Sequence, residues 1–189
     1  MKVKILNIVV GVFMAGVMVG TLRAENKTEL NIGLGAYGGE YWGVFTLFAG
    51  VTGHFANDRV LLYANTGVNF RNIQDYRLSN GVGMYFDGGA KFIIVKSKYV
   101  EPYINTSIDL MKATVYGTYN ASDYIDIGSI VFNFDVGLRI HFVEAFGIEF
   151  RTGPHFGIEA YAGEVDNEPV ADAGYGFGYH VKGNLFYIF

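Results

Sequence analysis

Residues 128–142, Gly128-Ser129-Ile130-Val131-Phe132-Asn133-Phe134-Asp135-Val136-Gly137-Leu138-Arg139-Ile140-His141-Phe142, decide the fold. Ile130, Phe132, Phe134, Val136, Leu138, Ile140 and Phe142 occupy one parity, and Ser129, Val131, Asn133, Asp135, Gly137, Arg139 and His141 the other. A period of two puts these sets on opposite faces of an extended strand, whereas a helix would repeat its apolar residues every three or four positions. One face is continuously greasy and the other carries acid, base and glycine, so the strand is a wall between two unlike environments.

Residues 146–160 and 82–94 repeat the pattern, and 29–38, 43–55, 60–70, 100–111 and 174–189 follow it less sharply. Eight strands are predicted. Their connections alternate in length: 39–42, then the tight 56–59, the longer 71–80, the tight 96–99, the long 112–126, the tight 143–145 and the long 161–173. Such alternation describes an antiparallel up-and-down meander. With no linker or helical stretch between strands, residues 25–189 read as one all-β barrel domain.

The chain has 189 residues, 51% hydrophobic, 16% aromatic and 17% charged, with 26 Gly, 3 Pro and no Cys. That is too apolar for a disordered chain, and the missing cysteines close off disulfide frameworks and thiolate metal sites. Lys2 and Lys4, an apolar run from Ile8 to Leu22 and then Ala24 match a secretory signal peptide, so residues 1–24 are expected to be removed. That removal takes away Lys2, Lys4 and Arg23, leaving 11 basic against 18 acidic residues, a net charge of 11 − 18 = −7. An acidic chain of this kind is a poor partner for nucleic acid, which is bound through basic surfaces.

Alternation alone does not say which face is outside, because a soluble barrel is apolar within and a membrane barrel apolar without. Four features predict a transmembrane barrel. Glycine crowds the polar face, as a narrow interior needs. The strands are long enough for a tilted crossing of the hydrocarbon, which takes roughly 9–11 residues. Aromatic residues (Tyr41, Trp42, Phe55, Phe70, Tyr99, Tyr103, Phe142, Phe146, Tyr175 and Tyr187) gather near strand ends, as interfacial girdles do. Finally, Val181, Leu185, Tyr187 and Phe189 alternate to a terminal Phe.

That ending resembles the C-terminal insertion signal of bacterial outer-membrane barrels. Lys182, Leu185, Tyr187 and Phe189 carry the resemblance, while Asn184 stands where Gly is usual and Gly183 comes one place early. With the leader and eight strands, the chain resembles the small OmpA- or OmpX-type barrels. The resemblance implies export across the inner membrane, insertion by the barrel-assembly machinery, outer-membrane lipid as surroundings, and a monomer. Fold membership of this kind carries no activity with it.

Placing the polar face inside brings ionisable groups into a lumen that side chains can fill. About the turn at Glu144, Arg139 and Glu149 are equidistant and should face each other across neighbouring strands; Lys91 and Glu101 stand symmetrically about Lys96 and are expected to pair likewise. Asp135 and Arg151, with Asp87, Asp109, Glu159 and Lys182, extend the network. The expected result is a packed polar core. His155 and His180 lie at equal heights on neighbouring strands and should meet in the lumen, while His54 and His141 read as rim filler.

No catalytic set, cofactor site or metal centre is expected. Ser79, Ser97, Ser107, Ser122 and Ser129 are the serines beyond the leader, and none has a His two residues away as lipid-deacylating barrels of this kind do. The segments left to carry function are 71–80, 112–126, with Tyr116, Tyr119 and Tyr124, and 161–173, with Glu164, Asp166, Glu168 and Asp172. A structural or surface-interaction role, with a host or surface ligand on these loops, is the function predicted, ahead of a small solute channel and a lipid-modifying enzyme.

Overall fold

The computed structural model describes residues 27–39, 42–72, 81–117 and 123–189, so the leader 1–24 and most of the segment 71–80 lie outside the described residues. The described strands are β1 (Thr28–Gly39), β2 (Trp42–Phe55), β3 (Val60–Asn72), β4 (Gly81–Ile93), β5 (Val100–Tyr116), β6 (Tyr124–Val143), β7 (Phe146–Val165) and β8 (Glu168–Ile188). Each pairs antiparallel with the next, and β8 pairs back with β1, which closes the sheet into an up-and-down barrel. Thr28 N–H donates to the Phe189 carbonyl at 3.2 Å and Phe189 N–H to the Thr28 carbonyl at 3.0 Å, sealing the seam at the end where the short turns also lie. Closure leaves no strand edge along the paired wall, which is what a hydrocarbon environment demands of backbone N–H and C=O groups.

The apolar parity faces out. Ile32, Phe134 and Val136 are more than 60% exposed, while Arg139, Glu149 and Lys182 on the opposite parity are at most 1% exposed. At about 3.3 Å per residue and a tilt near 40°, the span from Ile130 to Phe142 on β6 rises roughly 30 Å. Beyond that belt the outward positions turn polar, with Lys112 and Thr114 on β5, Asp126 on β6 and Glu164 on β7. One aromatic lies elsewhere than expected: Tyr103 belongs to no interfacial girdle, because its parity on β5 points it into the lumen, where it is buried.

The strands are unequal. β1 to β4 have 12 to 14 residues and β5 to β8 have 17 to 21, so one side of the wall stands above the other at the long-loop end. Two of the expected long loops shrink accordingly. The segment 161–173 is a hairpin, with β7 and β8 joined by Asp166 and Asn167 alone, at φ of 55° and 63°. Asp and Asn tolerate the left-handed conformation and form a two-residue turn whose twist suits a hairpin, so the acidic run is strand and turn rather than solvated loop. In 112–126 the strands continue to the facing pair Tyr116 and Tyr124, and the Thr114 hydroxyl donates to Asp126 at 2.6 Å; Tyr119 lies outside the described residues.

Candidate functional site: the filled lumen

Five inward aromatic side chains each face a glycine on the next strand: Phe48 opposite Gly33, Tyr63 opposite Gly89, Tyr85 opposite Gly67, Tyr103 opposite Gly137 and Phe186 opposite Gly147. At Gly33, Gly137 and Gly147 the ring lies over the bare backbone. A Cβ at Gly33 would stand 2.7 Å from the Phe48 ring, and one at Gly137 would run into the Tyr103 ring, so these two glycines are required by close approach. Among these rings the interior is taken by buried charged side chains.

Near the short-turn end, Lys91 Nζ donates to Glu149 at 2.7 Å, and Arg139 hydrogen-bonds Glu29 while its Nε lies 4.0 Å from Glu101 and 3.9 Å from Glu149. Arg139 and Glu149 also face each other in register. One layer higher, Arg151 bonds Asp87 and the Tyr63 hydroxyl and lies 3.8 Å from Asp135. Lys182 donates to Asp109 at 2.8 Å and lies 3.4 Å from Asp87. Asn65 and Asn105 donate to Asp87 at 3.2 Å and Asp135 at 2.7 Å. Most of these ion pairs cross the lumen: β4 to β7 twice, β4 to β8, β5 to β8 and β6 to β1. The cations also lie over ring faces, Arg139 4.3 Å from the Phe186 centroid and Lys91 and Arg151 both 4.8 Å from that of Tyr63.

Lys91 and Glu101 do not pair, contrary to the symmetry about Lys96. The Ser97 hydroxyl accepts the N–H groups of Tyr99 and Val100, at 3.2 and 3.1 Å, and folds 94–99 into a wider connection; Lys91 therefore stands opposite Asn105, and Glu101 opposite Arg139. Glu29, Tyr37 and Tyr63, which the sequence reading left out of the network, are among its central members. Their signal was parity, since each falls on the same alternation as the charges and glycines of its strand.

The described lumen holds seven carboxylates (Glu29, Asp87, Glu101, Asp109, Asp135, Glu149 and Glu159) against five permanent cations (Arg71, Lys91, Arg139, Arg151 and Lys182). Histidines stand where cations run short. His180 lies 2.8 Å from Asp135, His141 3.1 Å from Glu101, and His54 bridges Glu29 at 3.2 Å and the turn residue Asp58 at 2.9 Å. His54 and His141, read as filler, are thus partners of carboxylates at the short-turn mouth. Burial of Asp58 would raise its pKa, but hydrogen bonds from Lys96, Lys27 and His54 outweigh it and hold the carboxyl below the usual range.

His155 and His180 do meet, with ring centroids 5.9 Å apart, and Tyr37 stacks on His180 at 5.5 Å and meets His155 edge-on at 5.8 Å. Among the described residues no group of three or more His, Asp and Glu is arranged to hold a metal ion. Tyr37 also donates to Asp109 and stands 3.1 Å from the Tyr85 hydroxyl, which ties the charges to an apolar layer of Tyr37, Val44, Phe48, Tyr85, Met111 and Val131. Above that layer Arg71 pairs with Glu159, and both reach Ser129. Of the C-terminal residues, Lys182 is buried in the network while Leu185, Tyr187 and Phe189 lie exposed on the outer wall.

No family model matches the sequence, and no curated protein matches it. Solved structures do share the fold. The N-terminal β-barrel domain of Pseudomonas aeruginosa OprF aligns over 88% of this chain and 100% of that one, at 16% identity and a TM-score of 0.50. A major outer membrane protein of Thermus thermophilus aligns over 86% and 99%, at 9% identity and a TM-score of 0.54. Ail, the attachment invasion locus protein of Yersinia pestis, aligns over 87% and 99% at 15% identity and a TM-score of 0.49. The described chain has the fold of the small outer-membrane β-barrels.

Proposed function

We propose that this chain is an integral protein of the bacterial outer membrane, exported by its leader, inserted by the barrel-assembly machinery and monomeric in lipid. Its role is structural or surface-interacting, exercised through the long-loop end, where β5 to β8 rise past the apolar belt. One observation carries this proposal: ionisable side chains are buried inside the wall while Leu, Ile, Val and Phe are exposed outside it. In water an exposed apolar surface of that extent would drive aggregation, whereas in lipid it is the required surface.

A filled lumen favours this role over a solute channel. The cross-lumen ion pairs and the apolar layer above them occupy the interior of a barrel only eight strands wide. Catalysis is not part of the proposal: Ser129 hydrogen-bonds Glu159 and Arg71, and Ser107 accepts from Asn133, arrangements that pack the lumen. The test is twofold. Refolded into phospholipid vesicles, the protein should shift its gel mobility on heating. In planar bilayers it should show no stable conductance steps, and steps altered by Arg139→Met would make it a channel instead.

A further inference from the structure

At the short-turn mouth the lumen opens into a cavity of about 650 Å³. Its polar side is built by Lys27, Lys96 and Lys98 with Asp58, Glu101 and Glu144 around a floor of Arg139, and its other side by Tyr99, Phe142, Val143 and Ile188. Charge is unevenly matched here. One oxygen of Asp58 takes both Lys27, at 3.0 Å, and Lys96, at 2.7 Å, and its other oxygen takes His54 at 2.9 Å. Lys98 lies only against the face of Tyr99, 5.2 Å from the ring centroid. On the buried floor, Arg139 Nε makes no hydrogen bond.

The two ends of the barrel differ in sign. Among the described residues, Lys27, Arg59, Lys96 and Lys98 stand at the short-turn end against Asp58, Glu101 and Glu144, while Asp123, Asp126, Glu159, Glu164, Asp166, Glu168 and Asp172 stand toward the other end against Arg71 and Lys112. An anion is therefore favoured at the mouth and disfavoured opposite. The apolar side of the cavity adds a second requirement, because Tyr99, Phe142 and Val143 are exposed and run on to the outer wall where the belt ends.

We infer that this mouth binds the headgroup of an anionic phospholipid from the adjoining leaflet. The phosphate oxygens accept from Lys96 and Lys98, and the start of the acyl chains lies along Tyr99, Phe142 and Val143. A free phosphate would satisfy the lysines but leave the aromatic side uncovered, and a choline headgroup would bring a fixed cation against them. The inference rests on the membrane placement proposed above.

The test is to refold the barrel into nanodiscs holding equal amounts of phosphatidylglycerol and phosphatidylcholine, and to identify the lipid retained by native mass spectrometry. Retention of one phosphatidylglycerol per barrel, preferred roughly tenfold, is expected. The preference should fall to near unity in the Lys96→Gln/Lys98→Gln double variant and persist in Lys112→Gln, whose cation lies at the other end. Equal retention of both lipids by the wild type, a preference unchanged in the double variant, or displacement by inorganic phosphate at matched concentration would each overturn the inference. If the chain does not insert at all, the membrane placement fails and this inference with it; insertion without preference overturns this inference alone.

Discussion

The two halves of the lumen are filled by opposite means. Toward the short turns, Glu29, Lys91, Arg139 and Glu149, and above them Asp87, Asp109, Arg151 and Lys182, are buried charges joined across the barrel. Toward the long loops, Tyr37, Val44, Phe48, Tyr85, Met111 and Val131 form an apolar layer, capped on its far side by the Arg71–Glu159 pair. Both exclude water, but they differ in how they tolerate change. An apolar layer loses contacts in proportion to the atoms removed, whereas a buried ion network that loses one member keeps an uncompensated charge. The charged half is thus the more brittle, although ion pairs of this kind are weak evidence for net stability.

The largest effect expected is from Arg139→Met. It strands Glu29, while Glu149 keeps Lys91, and should cost about 3–5 kcal/mol, read as a lower urea midpoint for unfolding from lipid vesicles. Adding Glu29→Gln to the same chain should recover much of that loss, because the neutral amide needs no counter-charge and Glu149 keeps Lys91. If this double variant is no better than Arg139→Met, the damage comes from lost packing on Phe186 and the two halves are alike after all.

A smaller cost, about 2 kcal/mol, is expected from Met111→Ala in the apolar layer. The side chain leaves a void without leaving a charge, so no second substitution is needed to offset it. Unfolding midpoints of the two single variants, measured side by side, sharpen the contrast, and a larger loss for Met111→Ala would reverse it.

How much of this could be read from the sequence follows from the same physics. Along 128–142 the two faces meet unlike environments, lipid and lumen, so alternation marks the strand and assigns Arg139 and Asp135 inward. Past the belt both faces meet water and alternation fades, which is why the upper strands of the β7–β8 hairpin read as a loop. Arg139 and Glu149 face each other as counting about Glu144 predicts, with a one-residue register shift between His141 and Val143 setting that symmetry. Lys91 does not follow from such counting: its register depends on the Ser97 cap, and its partner Glu149 sits three strands away across the lumen. Closure of the barrel makes such partners neighbours, and a reading strand by strand does not contain it.

The smallest effect expected concerns Asp58, the carboxylate at the mouth where the charged half meets solvent. Its pKa is lower in the folded chain than the ordinary value near 3.9, because Lys96, Lys27 and His54 donate to it. A group depressed by folding contributes stability above its unfolded pKa and loses that contribution as pH falls toward its folded value. The wild type should therefore lose slightly more stability than Asp58→Asn on acidification below about pH 4. At neutral pH the difference between the two should be no more than about 1 kcal/mol, since the site is partly exposed and screened by salt. Midpoints of heat-modifiable gel shifts at pH 7, 5 and 3, compared for both chains, measure the difference. Parallel loss in both would assign acid sensitivity to the buried carboxylates of the lumen instead, and would make the charged half brittle to pH as well as to substitution.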